Sequence, residues 1–110
     1  MLRITSNNIN DNVVEKERCI LIMRVKNIHS GDTGGKNWLK RWMEYKGCKS
    51  TPSCSNIECR NMAKHGGHVK KVDSQDNRRY IVPLCVSCNE KKDLEFDVYA
   101  EDLVLLTELS

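Results

Sequence analysis

Two short cysteine pairs decide the fold of this chain: residues 54–59 read CSNIEC, and residues 85–88 read CVSC. Structural zinc takes four soft or borderline ligands in a tetrahedron, and two close pairs supply these ligands with few ordered residues. The 25 residues from 60 to 84 are enough for a hairpin that brings the pairs together. The pattern therefore predicts one structural Zn²⁺, and its expected ligands are Cys54, Cys59, Cys85 and Cys88.

Other side chains compete for the same role. Cys48 precedes Cys54 by six residues and could replace one member of the first pair. His65 and His68 are also zinc-ligand types, although four thiolates would leave them free. Cys19 lies within an apolar run, and we interpret it as a small buried residue rather than as a ligand.

Length and composition predict one small domain. The chain has 110 residues, of which 39% are hydrophobic and only 5% aromatic, with Phe96 as the single phenylalanine. Such a core is small, and metals or disulfides often stabilise domains of this kind. Residues 1–14, rich in Asn and Ser, lack periodicity and are expected to form a mobile N-terminus. Residues 15–110 are expected to form a single zinc-stabilised domain with an acidic C-terminal segment at 93–110.

The sequence also bears on the cellular compartment. The N-terminal residues are polar and lack the apolar core of a signal peptide. The longest apolar run, at 19–23, is much shorter than the roughly 20 residues that cross a bilayer. A cytoplasmic location is therefore expected. In that reducing environment, closely spaced cysteines bind metals more often than they form disulfides.

Charge is divided unevenly along the chain. Residues 1–92 contain all 18 Lys and Arg and nine acidic residues, a net charge of +9, whereas residues 93–110 contain six acidic residues and no base. A basic body of this kind favours a nucleic-acid-binding surface, with ordinary solvated surface as the simpler alternative. The acidic segment is expected either to pack on the body or to compete with polyanions for it.

Apolar periodicity predicts a strand and a helix in the first half. Residues 18–28, RCILIMRVKNI, alternate and are rich in β-branched and aliphatic side chains, which favours a strand. Residues 30–35, SGDTGG, have the composition of a loop and lack the spacing of a Walker phosphate loop. Residues 36–46 place Trp38 and Trp42 in a helical stripe that is expected to enter the core, and the glycine that follows is expected to end the helix.

The second half is expected to complete a small α+β fold. Residues 68–72 and 79–82 flank the polar sequence DSQDN and predict a β-hairpin whose second strand ends at the proline that follows. Residues 86–93 predict a short helix that opens on the second cysteine pair, where the helix dipole favours thiolate. Residues 95–99 alternate like a strand, and residues 103–109 are apolar enough for a further strand or a short helix.

The second half also resembles a known superfamily. A knuckle with two cysteines, GGHV at 66–69, a polar hairpin and YIVPLCVSCN at 80–89 together resemble the HNH or ββα-metal endonucleases, which have a treble-clef fold. The resemblance covers about residues 50–93. Upstream, NWLKRWMEYKG looks like the Trp-containing helix of a group of small bacterial zinc proteins related to that superfamily. The implied fold is a zinc-bound treble clef preceded by a strand and this helix.

The resemblance implies a site for metal-assisted phosphodiester hydrolysis. In HNH nucleases a first His acts as general base, an Asn orients the water, and a last His helps to hold a catalytic Mg²⁺ or Mn²⁺. Carried over, these positions fall on His68, Tyr80 and Asn89, and the usual ligand before the first His falls on Gly67. His68 and Asn89 are therefore the candidate catalytic residues, although three of the four positions depart from the active pattern. The acids near enough in sequence to supply a missing carboxylate are Asp73, Asp76 and Glu90.

Three functions follow from these patterns. The first is a zinc-binding HNH-like module that binds DNA or RNA without cleaving it. The second is an active metal-dependent HNH endonuclease that uses His68. The third is a protein-interaction module whose surface includes the Trp helix and the acidic segment, and none of the three involves a membrane. In the first, phosphates are expected to contact basic side chains around the hairpin, namely Lys64, Lys70, Lys71, Arg78 and Arg79.

Overall fold

A computed structural model describes residues 20–29 and 36–110 of the chain. The expected mobile segment 1–14, the loop 30–35 and Cys19 lie outside this part. The described strands are β1 (Ile22–Asn27), β2 (His65–Lys71), β3 (Tyr80–Leu84), β4 (Glu95–Tyr99) and β5 (Val104–Leu105), and the helices are α1 (Trp38–Lys46), α2 (Val86–Glu90) and α3 (Leu106–Leu109), with a 3₁₀ turn at Ala100–Asp102. None of these helices is long and apolar enough to cross a membrane.

The five strands form one antiparallel sheet in the order β4-β1-β2-β3-β5. With its separate helices, this arrangement confirms the predicted α+β class. β1 lies inside the sheet, because β4 pairs with it over Ile22–Lys26 and β2 pairs with it over Val25–Asn27. Its Val25 and Asn27 side chains are fully buried, and Lys26 between them is partly exposed. This alternation confirms a strand within 18–28.

The core consists of two apolar clusters on opposite faces of the sheet. Side chains alternate along β3, so that Val82 enters one cluster and Ile81 the other. The larger cluster contains Val25, Val69, Tyr80, Val82, Leu84, Phe96, Val98, Cys54, Cys85 and Cys88. The smaller one contains Trp38, Trp42, Ile81, Val104 and Leu109.

Helix α1 begins and ends on local signals. The Asn37 side chain accepts a hydrogen bond from the Lys40 backbone N–H at 3.0 Å, which caps the N-terminus. Gly47 adopts the left-handed conformation at φ 73°, which is accessible to glycine at little cost and closes the C-terminus. Trp38 and Trp42 are buried, so the prediction that both tryptophans enter the core is confirmed.

Two adjacent glycines allow both larger helices to approach β2. A Cβ at Gly66 would lie 2.6 Å from the Trp38 Cβ of α1. One at Gly67 would overlap the Leu84 side chain and lie 3.2 Å from the Asn89 Oδ1 of α2. Because adjacent strand residues point to opposite faces, α1 and α2 cover opposite faces of the sheet at this position.

The predicted hairpin is present, but its second strand continues through Pro83. Gly66 is the register partner of Pro83, and β3 ends at Leu84, so the prediction that proline ends the strand is wrong. The Leu84 carbonyl accepts from the Lys64 N–H on the β2 side, and the Pro83 carbonyl accepts from the Ser55 N–H at 2.8 Å. Because successive backbone groups of a strand alternate in direction, the position without an N–H at Pro83 points away from β2. On that side β5 pairs with β3 only at Tyr80 and Ile81, so the proline interrupts no strand pairing.

The C-terminal half follows the predicted element types with different bounds. Helix α2 ends at Glu90 rather than at 93, β4 matches the predicted strand at 95–99, and the apolar end forms β5 followed by α3. The acidic segment packs on the body, since β4 and β5 are the two outer strands of the sheet. Arg24 Nη1 lies 3.3 Å from Asp97 Oδ1, and Arg41 Nη1 donates to the Leu109 carbonyl at 2.8 Å.

Candidate metal centre

Four cysteine sulfurs converge at one end of the larger core cluster. The Sγ atoms of Cys54, Cys59, Cys85 and Cys88 all lie within 4.8 Å of one another. The Cys59 and Cys85 Sγ atoms are 3.5 Å apart. Tetrahedral thiolates at about 2.3 Å from a metal are separated by about 3.8 Å, so the cluster has the dimensions of a four-thiolate site. Three of the four residues are buried, and Cys59 is half-buried.

The first cysteine pair lies on a tight knuckle closed by its own backbone. The Cys54 N–H donates to the Asn61 carbonyl at 2.6 Å, and the Cys59 N–H donates to the Asn56 carbonyl at 2.9 Å. Arg60 adopts φ 62°, an uncommon conformation for a residue with a side chain, which lets the knuckle turn back immediately after Cys59. The knuckle therefore presents both sulfurs in the same direction.

The second pair is positioned by the start of α2. Cys85 is the N-cap of this helix, and its Sγ accepts from the Cys88 backbone N–H at 3.4 Å. The Asn56 side-chain nitrogen lies 3.5 Å from the Cys88 Sγ and links the knuckle to the helix. Donors aimed at sulfur favour the thiolate, which is the form that binds metal.

The acid–base behaviour of the thiols depends on burial and on these donors. Burial raises the pKa of Cys54 and, in the same direction, that of Cys88. Burial alone also raises the pKa of Cys85, but hydrogen bonds from the Cys88 N–H and from the neighbouring thiols outweigh it and lower this pKa to about 7. Several thiolates in one buried site require a cation, which a metal ion supplies.

A buried asparagine fixes the far end of α2. The Asn27 Nδ2 on β1 lies 3.1 Å from the Cys88 carbonyl oxygen, 3.0 Å from that of Asn89 and 3.1 Å from that of Lys91. The Cys88 and Lys91 carbonyls also accept from the backbone N–H groups of Lys91 and Leu94, at 3.3 Å and 3.1 Å. Asn27 is fully buried, so its amide adds a side-chain donor at the end of the helix that carries Cys88.

The structure separates the four clustered cysteines from the other candidate ligands. Cys48 packs with the Trp38 and Trp42 cluster and is not part of the four-sulfur group. His65 is exposed at the start of β2. His68 lies on the α1 side of the sheet, where its ring meets the Trp38 ring edge-on at a centroid distance of 5.5 Å.

The two candidate catalytic residues lie on opposite faces of the sheet. Asn89 is buried against Gly67 on the α2 side, whereas His68, one residue further along β2, points to the α1 side. His68 is only 7% exposed, and its Nδ1 has no hydrogen-bond partner among the described residues. Burial, and then the charges of His29 and Arg79, lower the pKa of His68, which keeps the ring neutral at pH 7.

The five predicted basic residues do not form one patch. Lys71 Nζ and Arg78 Nε lie 3.3 Å and 3.0 Å from Asp76 carboxylate oxygens, and the Tyr80 hydroxyl donates to the same carboxylate at 2.5 Å. The hydrogen bonds from Arg78, Tyr80 and Lys71 hold the pKa of Asp76 well below its usual range. Lys64 is exposed where the knuckle leads into β2.

Lys70 lies opposite a lysine that sequence reasoning missed, and Arg79 lies near His68 on the same sheet face. Lys70 is the register partner of Lys26 across β1 and β2, so both side chains occupy the sheet face that also carries His68. The exposed Arg79 is close enough to His68 for its charge to lower the histidine pKa. The alternation of residues 18–28 predicted the strand that carries Lys26, but only the strand register brings Lys26 opposite Lys70.

Comparisons with known proteins give no relative whose site could be compared with this one. No protein-family model, no curated protein and no solved structure matches the chain. The HNH-like resemblance and the roles it implies therefore stay predictions.

Proposed function

We propose that the four cysteines hold a structural Zn²⁺ in a treble-clef arrangement. The donor set supports this assignment, because four thiolates in a compact tetrahedral cluster are typical of closed structural zinc sites. A knuckle that supplies two cysteines and a helix start that supplies two more match the resemblance on which the treble clef rests. A reducing compartment such as the cytoplasm would keep these thiols available for the metal.

We further propose that the zinc-bound module binds nucleic acid through phosphates. The observation that carries this is the register pair Lys26 and Lys70. Like charges directly opposite on neighbouring strands repel each other. Lys26 also has Glu95 as its register partner on β4, but Glu95 lies 3.9 Å from Arg24 Nε, and no carboxylate within residues 20–29 and 36–110 forms an ion pair with the ammonium group of Lys26 or Lys70. Arg79 adds a third cation near the same sheet face, and a phosphate backbone would neutralise this cluster.

The surroundings of His68 support binding without cleavage. A general base for water must reach the attacking oxygen, whereas the His68 ring is buried against Trp38. The carboxylate of Asp76, one of the acids that could complete a catalytic metal site, is already held by Lys71, Arg78 and Tyr80. His68 thus acts as a packing residue between α1 and β2 in this proposal.

Fluorescence anisotropy with labelled duplex DNA, single-stranded DNA and RNA tests the proposal. We expect binding by the zinc-loaded protein that weakens with salt, and Lys26→Glu/Lys70→Glu/Arg79→Glu should lower the log–log salt slope by about 0.9 per lost contact on duplex DNA. The matched control is Lys49→Glu/Lys91→Glu/Lys92→Glu, which makes the same charge change at exposed positions. Equal losses in both variants would contradict the assignment of binding to Lys26, Lys70 and Arg79. No binding by the wild type at low salt would contradict the proposal and favour the protein-interaction module.

A further inference from the structure

A small cavity lies between the cysteine knuckle and the C-terminal segment. Its volume is about 240 Å³, enough for a side chain or a small organic group but below the usual size of a cofactor pocket. Its floor is buried and includes Trp42, Ser55 and Pro83. Ile57 and Tyr99 form half-buried walls, and the exposed Arg60 lies among the lining residues.

A single carboxylate lines this otherwise mostly apolar cavity. Asp102 Oδ2 accepts a hydrogen bond from the Ser55 hydroxyl at 3.0 Å, and the Asp102 carbonyl accepts from the Trp42 indole N–H at 2.8 Å. No ion pair to this carboxylate forms within the described part of the chain. Burial raises the pKa of Asp102, because it removes water from the anion, and this effect outweighs the hydrogen bond from Ser55 and the charges of Lys46 and Arg60.

The aromatic rings of Trp42 and Tyr99 also line the cavity. The faces of Trp and Tyr rings attract cations, and Lys46 Nζ already lies 5.9 Å from the centroid of the Trp42 ring. An acid beside aromatic and aliphatic walls is complementary to a cation on an apolar stem. An anion would meet the Asp102 carboxylate. A purely apolar group would add no cation to those of Lys46 and Arg60, whose charges act on Asp102 without forming an ion pair to it.

We propose that this cavity binds a primary ammonium group on a short aliphatic stem, with Asp102 as its counter-ion and Trp42 and Tyr99 against the stem. A lysine side chain and a free alkylamine share this chemistry. The inference is independent of the proposed nucleic-acid binding, because it uses neither Lys26 nor Lys70. The positive charge of Arg60 at the cavity opposes an ammonium ligand and would attract a carboxylate. Removing this charge should therefore raise the affinity for an ammonium ligand.

Amide NMR spectra of the zinc-loaded full chain test the proposal with two probes. Butylamine represents the free amine, and N-acetyl-lysine-N-methylamide represents a lysine within a polypeptide. We expect a saturable shift of the Trp42 indole N–H, which bonds to Asp102, with the Trp38 indole N–H as an unaffected reference. The probe with the lower Kd identifies the source. No saturable shift with either probe, or a shift accompanied by loss of zinc, overturns the proposal.

Three variants make the test specific. Asp102→Asn keeps an acceptor for Ser55 and should weaken binding about tenfold or more, because a charge-assisted contact is lost. Glu101→Gln makes the same charge change at the neighbouring exposed residue and should leave the Kd unchanged. Arg60→Gln should tighten ammonium binding. Because Arg60 is exposed, this variant should fold, and it tests the charge preference of the cavity even if Asp102→Asn does not fold.

The opposite results are equally decisive. Weaker ammonium binding by Arg60→Gln, or an unchanged Kd in Asp102→Asn, overturns the role of the carboxylate. Binding of the neutral N-butylacetamide as tightly as butylamine shows an apolar cavity only. Binding of acetate that disappears in Arg60→Gln assigns the cavity to carboxylates instead.

Discussion

The Asn27 side-chain nitrogen on β1 lies 3.1 Å from the Cys88 carbonyl oxygen of α2, although the two residues are 61 positions apart in sequence. The bond joins an inner strand of the sheet to the helix that carries the second cysteine pair. The backbone adds to this connection, because the Asn27 N–H donates to the Leu94 carbonyl and the Asp93 N–H donates to the Asn27 carbonyl. The inner strand β1 is thus bonded directly to the helix that carries Cys88 and to the residues that follow it.

Replacing Asn27 should therefore weaken both the fold and the metal site. Asn27→Ala removes the buried amide that donates to the carbonyls of Cys88, Asn89 and Lys91, and we expect a loss of about 3 kcal/mol in the free energy of unfolding. Denaturant unfolding and a competition assay for zinc measure the two effects. Asn37→Ala, which removes only the cap of α1, is the control and should cost about 1 kcal/mol with unchanged zinc affinity. Equal zinc affinity in Asn27→Ala would show that the strand does not support the site.

Zinc content should separate the cysteines into two groups. Cys85→Ser and Cys88→Ser should abolish zinc binding and unfold the protein, because the small core depends on the metal. Cys48→Ser should retain one zinc per chain, since Cys48 packs with the tryptophan cluster. Elemental analysis checks both results. Full zinc in Cys85→Ser, or none in Cys48→Ser, would contradict the ligand assignment.

The Asp76 carboxylate should stabilise the β2–β3 connection over a defined pH range. Its pKa is lower in the folded protein than in the unfolded chain, so its contribution is complete above about pH 5 and is lost only as the pH falls below about 4. Asp76→Asn should lower the Tm by the same amount at every pH from 5.5 to 8. Asp73→Asn, at an exposed position in the same loop, should change the Tm little. A difference between wild type and Asp76→Asn that disappears near pH 7 would exclude this mechanism.

The protein should not cleave nucleic acid with Mg²⁺ or Mn²⁺. We expect no nicking of plasmid and no RNA hydrolysis above background, and His68→Ala should leave that background unchanged. The same substitution should cost about 2 kcal/mol of stability, because the ring fills space against Trp38. His65→Ala, at an exposed position, should cost little. Metal-dependent nicking that stops only in His68→Ala would establish the nuclease alternative instead.

Local signals predicted most of the fold and the four clustered cysteines. The strand at 18–28, the tryptophan helix, the hairpin and both cysteine pairs depend on residues a few positions apart, where periodicity and spacing carry the information. Among the contacts that escaped prediction, those of Asp76 with Arg78 and Tyr80 are local, and those that join the sheet to α2 are long-range. Asn27 gives no local sign of reaching α2, and Lys26 meets Lys70 only through the register of β1 and β2. Pro83 continues its strand because the side of the residue that lacks an N–H faces the knuckle rather than β2. This arrangement depends on tertiary packing, which the local sequence does not reveal.

Zinc K-edge X-ray absorption on the purified wild-type protein tests the central claim most directly. A site formed by Cys54, Cys59, Cys85 and Cys88 predicts one zinc per chain with four sulfur scatterers at about 2.3 Å and no nitrogen or oxygen in the first shell. A first shell that contains nitrogen or oxygen, or a folded protein without zinc, would contradict the account.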